Sequence, residues 1–171
     1  MLLITPPNRI LGKEIETGYR KWLRFGSVWD DPNLIEEEKI AISLQNILGE
    51  VPKDIGRWLP ALLDFYACGE PPRHISAPER LLDWRRDSAT IWADFRVWLG
   101  IDLDRTDMHW WEFMALFGAL PPDSRIKQTM STRAIDLSRI KDPDTRAEYA
   151  RQKRLVSLEH TEDTEPIYER M

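Results

Sequence analysis

The sequence predicts an all-α fold, a compact bundle of about five to six helices followed by a charged C-terminal helix and a disordered acidic tail. Apolar residues recur at helical spacing in successive segments, and glycine or proline separates those segments. No run alternates between apolar and polar residues for long enough to indicate a strand. With 171 residues, 42% of them hydrophobic and 31% charged, the chain suits one globular domain.

Three helices are predicted in the first part of the chain. A short helical segment covers residues 17–26. In the second helix, which continues to Leu48, Asp31 is the expected N-cap and Pro32 the first helical residue. The third helix covers residues 54–68. Its inward-facing side chains are expected to be Ile55, Trp58, Leu59, Leu62, Leu63 and Phe65 or Tyr66.

Three further helices are predicted before residue 140. The fourth covers residues 77–99, and an aromatic helix over 108–120 follows, with Thr106 or Asp107 as its cap. The aromatic helix is apolar on all sides, as is typical of a buried helix, and it is shorter than the ~20 residues that span a bilayer. A polar helix ends near Ile135. The tryptophans expected in the core are Trp84, Trp98, Trp110 and Trp111.

The chain divides into four predicted regions. The N-terminal run contains two adjacent prolines, and the composition becomes charge-rich from Lys141. The acidic C-terminal segment has almost no core-forming pattern, which indicates disorder. The regions are a flexible arm at 1–9, a helical core domain at 10–140, a charged helical extension at 141–158 and a disordered acidic tail at 159–171.

Composition argues against nucleic acids and membranes as partners. The net charge is −5, so no overall basic field attracts DNA, RNA or anionic lipid. Arg146, Arg151, Lys153 and Arg154 form a basic cluster around Tyr149, but interspersed acidic residues indicate a solvated helix. No stretch reaches transmembrane length and the N-terminus lacks a signal-peptide pattern, so we expect a cytosolic protein.

No pattern indicates an enzyme, a cofactor or a metal site. His109 lies three residues before a glutamate, but the chain has only three histidines, and His109 is expected to pack in the first turn of the aromatic helix. Asp83, Asp87 and Asp94 lie among arginines and are expected to form surface ion pairs. The sequence has no glycine-rich phosphate loop and no nucleophile elbow.

An ordered series of motifs extends from about residue 17 to 137. Its elements are Tyr19-Arg20-x-Trp22, Phe65-Tyr66-x-x-Gly69, Asp87-Ser88, Ile91-Trp92-Ala93-Asp94-Phe95, Gly100-Ile101-Asp102-Leu103, His109-Trp110-Trp111-Glu112-Phe113 and Thr132-Arg133. The series resembles the tail assembly chaperones that long-tailed phages of Gram-positive bacteria encode between the major tail protein and the tape measure protein. Glu112 departs from the resemblance, because lysine is usual there.

The resemblance implies a non-enzymatic protein that binds the phage tape measure protein and keeps it competent for assembly before the tail tube forms. It also implies self-association or a companion tail assembly chaperone, action in the host cytoplasm, and absence from the mature virion. The motif residues expected to form structural core are Trp92, Phe95, His109, Trp110, Trp111 and Phe113. The candidates for partner contact are Trp22, Trp29, Arg133 and Tyr149.

Two other functions stay open at this point. A minor structural or tail-completion protein would remain in the virion, where mass spectrometry of purified particles would detect it. A helical DNA-associated regulator is the other alternative, and the negative net charge disfavours it.

Overall fold

Seven α-helices and a short β-hairpin make up the described part of the chain, residues 5–70 and 80–158 of a computed structural model. The predicted all-α fold is confirmed. The hairpin strands are β1 (Arg9–Ile10) and β2 (Lys13–Glu14). The helices are α1 (Tyr19–Trp29), α2 (Glu36–Leu48), α3 (Ile55–Tyr66), α4 (Ser88–Leu99), α5 (Trp110–Ala119), α6 (Arg125–Arg133) and α7 (Pro143–Val156), with a 3₁₀ turn at Leu137–Arg139.

The N-terminal hairpin was not predicted from the sequence. Its two strands pair antiparallel, with Ile10 opposite Lys13. Leu11 and Gly12 form the turn with φ values of 49° and 83°, as a two-residue turn between antiparallel strands requires. Strands of two residues are too short to produce an alternating apolar pattern, which is why the sequence gives no signal for them.

A backbone bridge fastens the start of α1 to the start of α5. Gly18 and His109 are partners in this isolated antiparallel bridge. Tyr19 N donates to Met108 O at 3.0 Å, and Trp110 N donates to Thr17 O at 2.8 Å. The bridge joins two helices that are far apart in sequence, and it places α5 against α1.

The second helix begins four residues later than predicted from the Asp31–Pro32 pair. Asp31 Oδ1 instead accepts a hydrogen bond from Asn33 N at 2.9 Å, which forms a turn before the helix. Ile35 is the N-cap residue, and its backbone N–H donates to Glu38 Oε2 at 3.1 Å. The glutamate at the third helical position therefore does the capping that the sequence assigned to Asp31.

The predicted start of the fourth helix near residue 77 is also wrong for the part of the chain that the structure describes. Asp83 Oδ1 accepts hydrogen bonds from Arg85 N and Arg86 N, both at 2.9 Å, and stabilises a turn at 84–87. α4 begins only after that turn, at Ser88. Residues 71–79, which the prediction partly included, lie outside the described residues.

The N-cap of α5 is His109 rather than Thr106 or Asp107. Its Nδ1 atom accepts a hydrogen bond from Trp111 N at 3.0 Å. Its Nε2 atom lies 3.0 Å from Pro7 O. Because Nδ1 must be unprotonated to accept, the hydrogen on Nε2 donates to the Pro7 carbonyl and attaches the N-terminal segment to the core.

Aromatic rings from four helices form the core around Phe113 of α5. The ring of Phe113 stacks on Tyr19 of α1 at 4.9 Å between centroids and on Phe95 of α4 at 5.1 Å. Trp110 stacks on Tyr66 of α3 at 5.1 Å. The side chains in the core that are fully or almost fully buried include Trp22, Phe25, Leu44, Ile47, Leu62, Phe95, Trp110, Phe113 and Ile126.

Two buried carboxylates hold α6 in place: Asp87, the N-cap residue of α4, and Asp94 within α4. The prediction that these two aspartates form surface ion pairs is wrong. Asp94 Oδ2 accepts from Ile126 N at 2.7 Å, and Asp94 Oδ1 accepts from Arg125 N at 3.3 Å. Asp87 forms a two-pronged ion pair with Arg133, at 2.6 Å and 2.9 Å. Both aspartates are at most 5% exposed. The surface prediction is correct only for Asp83, which pairs with Arg80.

The charged segment after residue 141 forms α7, which packs against α6. Asp142 caps it, accepting from Thr145 N at 2.7 Å, and Pro143 is its first residue. Arg133 Nε donates to Val156 O at 2.6 Å, which ties the end of α7 to the buried ion pair. None of the residues of α7 is buried. The predicted acidic tail, 159–171, lies outside the described residues.

Candidate functional site

Two of the four residues predicted for partner contact are buried. Trp22 is 0% exposed, and its Nε1 atom donates to Glu16 O at 2.8 Å. Its expected place on the surface is therefore wrong, because its position on α1 faces Phe25 and Phe65 rather than solvent. Arg133 is also buried, with its guanidinium bonded to Asp87.

The other two candidates for partner contact remain accessible. Trp29 is half-buried at the end of α1, with its ring 6.2 Å from that of Phe25. Its Nε1 atom is buried and has no hydrogen-bond partner among the described residues. Tyr149 is 38% exposed on α7. These two side chains lie on separate helices.

The six motif residues divide between the core and the surface. Phe95, Trp110 and Phe113 are fully buried. Trp111 is half-buried, with its Nε1 atom donating to Phe65 O at 2.9 Å, and His109 is the half-buried N-cap already described. Trp92 does not fit the core prediction, because it is 38% exposed on the outer side of α4.

The exposed Trp92 ring is nevertheless held in a fixed position. Its Nε1 atom donates to Asp104 Oδ2 at 2.9 Å. The Arg96 guanidinium lies over the ring, 5.6 Å from its centroid, and binds Asp102 Oδ2 at 2.5 Å. The hydrogen bond from Arg96 also lowers the pKa of the Asp102 carboxyl. A tryptophan fixed in this way presents an aromatic surface at little cost in side-chain entropy.

The C-terminal end of α4 exposes two more apolar side chains. Val97 is 75% exposed and Trp98 is 47% exposed. Trp98 follows the buried residues Ile91 and Phe95 at helical spacing, so it lies on the stripe that faces the core. The stripe extends past the core at the end of the helix, which is why the prediction of a buried Trp98 is wrong. We call Trp92, Arg96, Val97 and Trp98 the α4-end surface.

A second apolar surface lies on the outward face of α3. Leu63 is 41% exposed and Ile55 is 37% exposed, although both were predicted to point inward. α3 packs on the core through Leu62 and Phe65, and Leu63 points away from them. Ile55 lies on the same side as Leu62 but is the first residue of the helix. We define the α3 face as Gly56, Leu59, Pro60, Leu63 and Ala67.

Beside the bridge between residues 18 and 109 there is an open groove of about 520 Å³. Backbone and charged side chains, including Arg20, Lys21 and Asp107, make up much of its wall. Ligand pockets are usually enclosed and mostly apolar, so the groove is a poor candidate for a small-molecule site. Across the described ranges, no three His, Cys, Asp or Glu side chains are grouped to hold a metal ion.

Comparison with known protein families decides the affiliation of the chain. The model of the family described as bacteriophage Gp15 protein matches residues 10–158. The chain belongs to this family. It is therefore a bacteriophage protein, and this part of what the resemblance implied is confirmed. Comparisons with curated proteins and with solved structures find no match.

The range of the family match bears on the organisation of this Gp15-family protein. The motif resemblance stops near residue 137, whereas the match continues to residue 158 and includes α7. The helical core and the charged extension are thus both parts of the family's common sequence. Among the residues that the structure describes, no helix is long and apolar enough to cross a membrane.

Proposed function

We propose that this Gp15-family protein is a tail assembly chaperone that binds the phage tape measure protein and keeps it assembly-competent before the tail tube polymerises. In this proposal it acts in the host cytoplasm, has no enzymatic activity and is absent from the mature virion. Family membership supports a role in phage biology, and the motif resemblance supports the chaperone role in particular.

The α4-end surface is the observation that carries the proposal. Two tryptophans, an arginine and a valine are exposed within two turns of this helix, with Arg96 over the Trp92 ring, and tryptophan and arginine are among the residue types most enriched at binding hot spots. A long helical protein with apolar stripes aggregates unless a partner covers those stripes. A helical segment of the tape measure protein can lay its apolar side on Val97 and Trp98, which are consecutive on the exposed end of α4.

Co-expression of the full chain with its tape measure protein tests this proposal. The wild type should raise the soluble yield of the tape measure protein and co-purify with it. A Val97→Lys/Trp98→Lys double variant should lose most of both effects, because it places charges in the apolar contact. Leu155→Lys is the matched control, because Leu155 is 81% exposed on α7, outside the α4-end surface, and should behave like the wild type.

Circular dichroism of each variant shows whether it is folded, so a loss of binding is not mistaken for unfolding. If the wild type leaves the solubility of the tape measure protein unchanged, the chaperone role is wrong. Mass spectrometry of purified particles separates the alternative: a stoichiometric amount of the protein in finished virions would identify it as a structural or tail-completion component instead.

A further inference from the structure

The rim of the α3 face carries opposite charges at its two ends. Lys53 and Arg57 lie at the N-terminal end, and Asp64 lies at the C-terminal end. All three are exposed, and none of their side chains has an ion pair or side-chain hydrogen bond within residues 5–70 and 80–158. At 100° per residue, Arg57 and Asp64 lie on the same side of the helix, about 10 Å apart along its axis.

Between these charges and the core, the α3 face consists of apolar residues, and some of them are small. Leu63 is exposed, Leu59 is half-buried, and Pro60 carries no backbone N–H. A Cβ atom added at Gly56 would meet no atom within 4 Å. Small residues on a helix surface let a second helix approach to the usual 8–10 Å between axes.

We propose that the α3 face binds a second copy of this chain, with the two α3 helices antiparallel across a two-fold axis near Pro60. The two-fold axis reverses the direction of the helix but keeps each residue on the same side of the contact. The rim with Arg57 and Asp64 in one copy therefore lies beside the same rim of the other copy, running in the opposite direction. Arg57 of each copy then lies opposite Asp64 of the other copy, which forms two equivalent ion pairs. The helix dipoles also oppose each other, which is favourable.

Charge complementarity favours a second copy over an unrelated helix as the occupant. The face provides its own complement, since its positive end matches its own negative end once the helix is reversed. The contact involves essentially one helix from each copy, which is smaller than the ~800 Å² per partner of a stable interface. The dimer is therefore weak, and it forms at high local concentration, as when many copies gather on one long partner.

This inference concerns a different surface from the α4-end surface, so it stands or falls independently of the proposed function. Sedimentation velocity of the full chain over a concentration series tests it. The wild type should shift from its 20.1 kDa monomer toward twice that mass as the concentration approaches about 1 mM. Arg57→Asp and Asp64→Arg should each weaken association by about tenfold or more, because each reversal creates two like-charge contacts.

Two further samples make the test specific to the antiparallel pairing. The double variant Arg57→Asp/Asp64→Arg restores complementarity and should associate as the wild type does. An equimolar mixture of the two single variants should form a heterodimer more tightly than either variant forms a homodimer. Arg24→Asp is the matched control, since Arg24 is exposed on α1, and it should leave association unchanged.

Three results would overturn the inference. The first is a wild type that stays monomeric at the highest concentration. The second is association that neither single reversal weakens in folded protein, as checked by circular dichroism. The third is a double variant that remains as weak as the single variants.

Discussion

The carboxylate of Asp94 caps a helix other than its own. It lies in the middle of α4 and accepts hydrogen bonds from the backbone N–H groups of Arg125 and Ile126, the first two residues of α6. Ser124 occupies the N-cap position, but its hydroxyl makes no cap hydrogen bond. Asp94 therefore performs between two helices the task that an N-cap side chain normally performs within one.

The first prediction concerns this cap. Asp94→Ala should lower the free energy of unfolding by about 1–3 kcal/mol, because two N–H groups, one of them on the fully buried residue Ile126, lose their charged acceptor. Urea denaturation measures the change. Asp123→Ala is the control, since Asp123 is exposed just before α6, and it should change stability by less than about 0.5 kcal/mol. Equal stability of the two variants would contradict the capping role.

Sequence patterns predicted what depends on local periodicity. The helical class, the aromatic core at Phe95, Trp110 and Phe113, and the end of α4 at Gly100 all follow from spacing and punctuation within one segment. The sequence also shows that α4 carries aspartates among arginines, but it does not show which of these aspartates are buried. Asp94 looks like a surface residue among arginines until α6 is placed against it.

The candidate surfaces could not be predicted for the same reason. Trp98 has the spacing of a core residue, and only the three-dimensional extent of the core shows that the stripe extends beyond it. Trp22 stands in a less regular segment, yet α3 covers it through Phe65. Exposure at a helix end depends on which neighbours reach it, and that information is not contained in the helix's own sequence.

The second prediction concerns the buried ion pair of Asp87 and Arg133. Arg133→Met should cost about 3–5 kcal/mol, because it leaves the Asp87 carboxylate buried without its partner. The variant Asp87→Leu/Arg133→Met should recover part of that loss, since both charges are then absent. Chemical denaturation of the three proteins forms the measurement.

An exposed pair gives the control for this prediction. Arg139 pairs with Asp136 at 3.1 Å, but both side chains are more than half exposed. Arg139→Met should therefore change stability by less than about 1 kcal/mol. If Arg133→Met is no worse than Arg139→Met, the buried pair does not hold the end of α7 and the start of α4 as the structure indicates.

The third prediction concerns Gly26, on the side of α1 that faces Tyr66 of α3 and Trp84. A Cβ atom there would lie 2.2 Å from the Tyr66 hydroxyl and 2.9 Å from the Trp84 ring, which are themselves hydrogen-bonded at 2.9 Å. Gly26→Ala should destabilise the fold by about 1–3 kcal/mol, because two half-buried aromatic side chains that pack against the core must move. Thermal unfolding measures it.

Gly118 of α5 provides the matched control, since a Cβ atom at that position would meet nothing within 4 Å. Gly118→Ala should raise stability by about 0.5–1 kcal/mol, because alanine is the better helix former. Opposite signs for the two substitutions are the expected result. A stabilising Gly26→Ala would show that the contact among α1, Tyr66 and Trp84 is looser than described.

The fourth prediction concerns alkaline pH. Burial raises the pKa of the Tyr66 hydroxyl to about 12 and that of the Cys68 thiol to about 11. Both groups lose their protons more readily in the unfolded chain, with ordinary pKa values of ~10 and ~8.5. Their contribution to stability is thus complete below about pH 8.5 and is lost as the pH rises toward 12.

Urea denaturation between pH 7 and 11, at about one-unit steps, tests this sign. Stability should fall more steeply in the wild type than in Tyr66→Phe or Cys68→Ser, each of which lacks one of the two groups. Tyr149→Phe, at an exposed position on α7, should keep the wild-type slope. Equal slopes in the wild type, Tyr66→Phe and Cys68→Ser would mean that these side chains meet water in the folded protein, and that the aromatic contact of Tyr66 with Trp110 is open to solvent.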